Sequence, residues 1–213
     1  MKITIVPVTP YAQNCSVLRC ERTGRGAFVD PGGDLDRLLG VAEEMDAQIE
    51  KILVTHGHLD HAGGVAEMAD RLGVPIEGPH RDDAFWIERL PADCARSGFP
   101  PARVFEPERW LENGDTVTVG EQSLEVYHCP GHTPGHVVYF HREMGLAIVG
   151  DVLFAGSVGR SDLPRGDHDT LIESIRTRLW PLGEHVQFIP GHGPLSTFGE
   201  ERRSNPFAGD AVR

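Results

Sequence analysis

The sequence predicts an α/β fold: two β-rich halves, each followed by helices, folded as one domain over residues 1–213. Three observations lead there. Short apolar runs of strand length alternate with stretches whose apolar residues recur at helical spacing. That pattern is traversed twice, before and after an irregular stretch from Pro91 to Glu108. No Pro/Gly/Ser-rich linker interrupts the 213 residues, a length that can bury one sizeable core.

Taken in order, Lys2 to Val8 and Cys15 to Cys20 read as strands, and a turn at Thr23-Gly24-Arg25-Gly26 leads to a third strand ending at Asp30. Pro31-Gly32-Gly33 stops it, and Asp34 is placed to cap a helix carrying Leu35, Leu38, Leu39, Ala42 and Met45 on one face. Ile49 to Val54 is the next strand. A second amphipathic helix carries Val65, Met68, Ala69 and Leu72, Val74-Pro75-Ile76 suggests a short strand, and Asp82 to Leu90 reads as helical. In the second half, Thr116 to Val119 and Ser123 to Tyr127 pair around a Gly120 turn, and Val137 to His141 pairs with Leu146 to Val149. A loop from Phe154 to Asp167 precedes a helix with Leu171, Ile172, Ile175 and Leu179 inward, where Thr170 and Glu173 have capping-box spacing. Val186 to Ile189 is the last strand, followed by a short tail.

Composition narrows the class. With 39% hydrophobic and 24% charged residues the chain reads as an ordinary soluble globular protein, and no apolar run has the length of a membrane span. A net charge of -12 without clustered Lys and Arg argues against nucleic acid as a partner. The N-terminus carries no cleavable signal pattern, so a cytoplasmic location is expected, with Cys15, Cys20, Cys94 and Cys129 as reduced thiols. Oligomeric state is not readable.

The chemistry is concentrated in Thr55-His56-Gly57-His58-Leu59-Asp60-His61, directly after the apolar run Ile52-Leu53-Val54. His56 and His58 are two apart and point the same way in an extended segment, while Asp60 and His61 follow where a helix should begin. Imidazole and carboxylate together suit zinc, iron or manganese. Three further residues stand just beyond predicted strands with glycines beside them: His132, Asp151 and His192. Side chains from such separate strand ends can converge.

The ordered set Asp30, His56/His58/Asp60/His61, His132, Asp151 and His192 resembles the five motifs of the metallo-β-lactamase superfamily. That resemblance implies an αβ/βα four-layer sandwich, two mixed β-sheets flanked by helices, with a dinuclear metal site at one edge. By motif position His56, His58 and His132 would hold metal 1, Asp60, His61 and His192 metal 2, and Asp151 would bridge. Asp30 would brace the ligands from behind, with a plain turn cap as its alternative. Two divalent ions per chain are expected, zinc first, with iron or manganese also fitting.

The segments His128-Cys129-Pro130-Gly131-His132-Thr133-Pro134-Gly135-His136, Val158 to Asp167 and Phe188 to Ser196 resemble the small single-domain glyoxalase II branch, the hydroxyacylglutathione hydrolases. This implies hydrolysis of the thioester S-lactoylglutathione to lactate and glutathione, a step of methylglyoxal detoxification. Water activated by two metals would attack the thioester carbonyl, and Asp60 would orient it as well as ligate. The thiolate leaves readily, its solution pKa being about 8.5, so no strong general acid is needed. Only about twenty residues follow His192, so the C-terminal helical domain that holds glutathione in two-domain relatives is expected to be absent. Arg160 and Arg165 are the nearest motif-linked cations for its carboxylates.

Other readings stay open. A mononuclear-iron persulfide dioxygenase of the same fold could use His56, His132 and Asp151, and Arg160-Ser161-Asp162 resembles a stretch of it, whereas the His192 motif favours the thioesterase branch. Another thioester, a lactone, or a non-catalytic metal-storage role would use the same ligands. His128 and His136 could add hydrogen bonds around His132. His80, His141, His168 and His185 read as ordinary surface residues.

Overall fold

Strands that are apolar on both faces need cover on both, and that requirement sets the layering. A computed structural model describes residues 1–212. The first half forms β1 (Lys2–Val8), β2 (Gln13–Arg19), β3 (Arg25–Val29), α1 (Leu35–Glu44), β4 (Gln48–Leu53), α2 (Leu59–Ala62), α3 (Val65–Leu72), β5 (Ile76–Glu77) and α4 (Ala84–Ser97). The second forms β6 (Thr116–Val119), β7 (Gln122–His128), β8 (Val137–His141), β9 (Leu146–Gly150), β10 (Leu153–Phe154), β11 (Ser157–Val158), α5 (His168–Ser174), β12 (Gln187–Pro190), β13 (Ser196–Thr197) and α6 (Phe198–Ser204).

One sheet runs β1-β2-β3-β4-β5, antiparallel as far as β3 and parallel from there to β5. The other runs β13-β12-β9-β8-β7-β6, parallel at β12–β9 and antiparallel elsewhere. Period-two alternation sends consecutive residues to different cores. Val17, Phe28 and Ile52 pack under Leu38, Met68, Ile87 and Leu90, while their neighbours Leu18, Val29 and Leu53 meet Val126, Tyr139 and Ile148 between the sheets. On the far side Val138, Phe140 and Val149 pack against Leu171, Ile175, Leu179 and Phe198. The result is the expected order of helix, sheet, sheet, helix. Among the described residues no helix is long and apolar enough to cross a membrane, and all four cysteines are buried and free.

Several local expectations are corrected. α4 runs seven residues past Leu90, straight through Pro91, to Ser97. A proline inside a helix costs about 3 kcal/mol. Here its ring faces solvent, and burying Ile87, Leu90 and Cys94 at roughly 1.5–3 kcal/mol for a large apolar side chain outweighs it. Asp34 precedes α1 in the left-handed region and makes no side-chain cap; its carboxylate takes the Thr9 N–H instead. The cap of α5 is Asp167, which accepts from the Thr170 N–H, so the Thr170–Glu173 box does not form. His141 is buried, its Nε2 donating to Gln122 Oε1. The tail folds as β13 and α6, and β10–β11 make a hairpin inside the expected loop.

The parallel pairs β3–β4 and β9–β12 point their C-terminal ends to one edge, and β7, two antiparallel steps from β9, ends there too. Asp30 and every predicted metal ligand follow one of these five ends.

Candidate metal centre

Asp30 follows β3, the His56–His61 segment follows β4 and enters α2, His132 follows β7, Asp151 follows β9 and His192 follows β12. All seven expected ligands come together. The ligand atoms of His56, His58 and His132 lie within 4.8 Å of one another, as do those of Asp60, His61 and His192. Asp151 stands between the groups: its Oδ1 is 3.3 Å from His61 Nε2, and its Oδ2 is 3.5 Å from His132 Nε2 and 3.8 Å from His192 Nε2. His58 Nδ1 faces His132 Nε2 at 2.9 Å.

The donor set fits a pair of divalent cations. His56 Nε2, His61 Nε2 and Asp151 Oδ1 are buried with no hydrogen-bond partner, a costly condition unless an ion satisfies them. Burial pushes the pKa values of His56, His58 and His132 down, toward the neutral imidazole that ligates. Burial alone would raise Asp60 and Asp151, but His61 above all outweighs it and holds both below the usual carboxylate range. Against burial, Asp151 and Asp60 push the His61 pKa up in turn, so its ring carries the matching positive charge, a place that a bound cation would take with His61 neutral.

The ring nitrogens facing away from the cluster are tied down. His132 Nδ1 donates to the Arg160 carbonyl at 2.7 Å, and His192 Nδ1 to the Tyr11 carbonyl at 3.1 Å. His61 Nδ1 donates to Asp30 Oδ2 at 2.8 Å, while Asp30 also takes the Thr55 N–H and hydroxyl. His136 stacks on His56 and its Nε2 accepts the Asp151 N–H at 3.0 Å. Such contacts set tautomer and ring orientation. His128 instead stacks on His80 and donates to the Pro134 carbonyl.

Sequence reasoning missed Asp83. It is fully buried at the start of α4 and accepts from Gly57 N at 2.8 Å, Thr133 Oγ1 at 2.9 Å and Gly135 N at 2.6 Å. It therefore ties the loop carrying His56 and His58 to the loop carrying His132. Burial pushes its pKa up to about 6 against those three donors. No local signal identified it, since an Asp before a helix reads as a cap. Gly191 supplies another constraint: a Cβ there would lie 2.0 Å from Asp151 Oδ1 and 2.6 Å from His61 Cε1.

The cluster opens into a cavity of about 800 Å³. His58, Asp60, His132, Asp151 and His192 face it, with Trp86, Phe154, Leu163 and Pro164 forming apolar wall. Arg160 lines it too, its guanidinium held by both Asp162 oxygens at 2.8 Å. Arg165 does not: it lies over the Phe85 ring, 4.0 Å from the centroid. Arg89 and Arg96 of α4 line the cavity instead; Arg96 was missed because the segment after Leu90 reads as irregular, and Arg89, inside the expected helix, because no motif marks it.

Comparison with known proteins matches residues 8–192 to the family model described as Metallo-beta-lactamase superfamily. The chain is 44% identical over 208 residues to hydroxyacylglutathione hydrolase GloC of Haemophilus influenzae, covering 97% of this chain and 98% of that one. Among solved structures it resembles the BLEG-1 B3 metallo-beta-lactamase, with a TM-score of 0.89, 34% identity and coverage of 97% of this chain and 99% of that chain. It also resembles TTHA1623 in a di-iron-bound form, with a TM-score of 0.87, 34% identity and coverage of 96% and 99%.

Proposed function

The chain belongs to the metallo-β-lactamase superfamily and is a metallo-hydrolase, and on that premise we propose that it hydrolyses S-lactoylglutathione to lactate and glutathione. One observation carries the reading: two groups of three ligands, joined by Asp151, present His58, Asp60, His132 and His192 to a cavity large enough for a tripeptide thioester. The 44% identity to a hydroxyacylglutathione hydrolase supports the choice of substrate.

His56, His58 and His132 would hold one ion and Asp60, His61 and His192 the other, with Asp151 shared and Asp30 bracing His61 from behind. Zinc is the ion proposed; iron and manganese suit the same donors. Such a pair supplies Lewis acidity, lowering the pKa of water and polarising a carbonyl oxygen. Asp60, kept ionised, accepts a hydrogen bond from the attacking water and so aims it. Trp86, Phe154 and Leu163 exclude bulk water from the acyl group. The glutathione thiolate departs without a general acid, since its solution pKa is about 8.5. A role in methylglyoxal detoxification and a cytoplasmic location are proposed with this substrate.

The test is an anaerobic assay of purified protein with S-lactoylglutathione, metal content being measured on the same sample. Thiol release at two metals per chain is expected. A fully loaded protein inert to this thioester would reject the proposal, and oxygen uptake with glutathione persulfide would replace it with the dioxygenase reading.

A further inference from the structure

Helix α4 (Ala84–Ser97) leads outward from the metal cluster along one wall of the cavity. Its residues Trp86, Arg89, Asp93 and Arg96 are spaced three, four and three apart and therefore share a face, and all four line the cavity. Trp86 begins the stripe against His58, ring centroids 4.4 Å apart. Arg89 Nε and Nη2 both reach the Asp93 carboxylate at 3.3 Å, and Arg96 contacts the same Oδ1. Asp93 is largely buried between them.

Two guanidiniums therefore share one carboxylate, and one positive charge is left unmatched beside the cavity. The Arg89 guanidinium lies over the Phe85 and Trp86 rings, 5.2 and 5.6 Å from their centroids, and only its Nε and Nη2 engage Asp93, so its Nη1 donors are to spare. The other arginine lining the cavity, Arg160, is already held by both oxygens of Asp162. The reach is right as well. Arg89 and Arg96 stand about 5 and 15 Å beyond Trp86 along the helix axis, and a tripeptide with its thiol on the middle residue, about 10 Å from end to end, reaches them through their long side chains.

The geometry points to a carboxylate subsite formed by Arg89 and Arg96 on α4, which holds the free carboxylates of the substrate's thiol arm while the thioester lies over the metal cluster. Asp93 orients the two guanidiniums. This inference rests on the thioesterase reading and adds to it the residues that select an anionic thiol over a neutral one.

The experiment compares metal-loaded wild type with the double variant Arg89→Gln/Arg96→Gln on two substrates, S-lactoylglutathione and the uncharged thioester S-lactoyl-N-acetylcysteamine. The readout is the ratio of their kcat/KM values on one sample, from which any loss of folded enzyme cancels. The ratio is expected to fall about tenfold in the variant, mainly through KM for the glutathione thioester. Arg103→Gln, which breaks an exposed pair with Asp70 far from the cavity, should leave it unchanged. An unchanged ratio in the double variant overturns the subsite. If wild type turns over neither thioester, the hydrolase reading fails separately, and calorimetric binding of S-methylglutathione decides the subsite: binding lost in the double variant supports it, and binding equal to wild type, or absent from wild type, overturns it.

Discussion

His61 donates from Nδ1 to Asp30 Oδ2 across 2.8 Å, which leaves its Nε2 turned toward Asp151 and Asp60. Asp30 sits in the left-handed region at φ 54°, directly after β3, and its other contacts go to Thr55 at the end of the neighbouring strand segment. One carboxylate therefore fixes both a ligand's tautomer and the start of the histidine segment. Asp30→Ala is expected to weaken metal binding by about 10- to 100-fold. Competition with a chelating dye measures this, and affinity equal to wild type would remove Asp30 from the role.

Gly191 is a second place where one atom matters. The Cβ of Gly191→Ala would overlap Asp151 Oδ1, so the carboxylate between the two groups must move. The variant should purify with less metal than wild type and lose most of its activity. Elemental analysis beside a thermal melt separates this from general unfolding; full metal content would show that Asp151 tolerates the displacement.

Removing metal should cost stability as well as activity. A ligand present at a thousand times its dissociation constant stabilises the folded state by about 4 kcal/mol. The metal-free protein keeps buried, unpartnered His56 Nε2, His61 Nε2 and Asp151 Oδ1. Its Tm should therefore be several degrees lower and recover on adding zinc, iron or manganese. Melting curves that superimpose with and without metal would contradict a pre-built site.

Asp83 predicts a pH effect of definite sign. Burial raises it from 3.8 to about 6 in the folded chain. Between those values the unfolded chain has lost the proton and the folded chain retains it, so the stability contribution is full below about pH 4, falls as pH rises and is level above about 6. The size is about 3 kcal/mol. Urea unfolding of metal-free wild type and Asp83→Asn should show their stability gap narrowing over that range. A gap independent of pH would show that Asp83 keeps an ordinary pKa.

The strands were legible because their information is local. Two-residue alternation and glycine-bounded apolar runs located β1 to β4, β6 to β9 and β12 to within a few residues. α4 was cut short at Pro91 because a proline is read as a break, whereas the ring faces water and the buried side of the helix outweighs its cost. Arg96 in that last turn went unread for the same reason. Arg165 illustrates the opposite error: proximity in sequence to a motif suggested the cavity, and the chain turns it onto Phe85.

By itself the sequence determined which side chains are available and in what order: Asp30, the His56–His61 segment, His132, Asp151 and His192, each placed by chemistry at the end of an apolar run. Only the tertiary structure decided what those residues touch. Asp83 spanning two ligand loops, the Arg160 carbonyl orienting His132 and His136 gripping the Asp151 N–H all join segments far apart in the chain. Local periodicity carries no record of such contacts, because they arise when two sheets pack face to face and bring five strand ends to one edge.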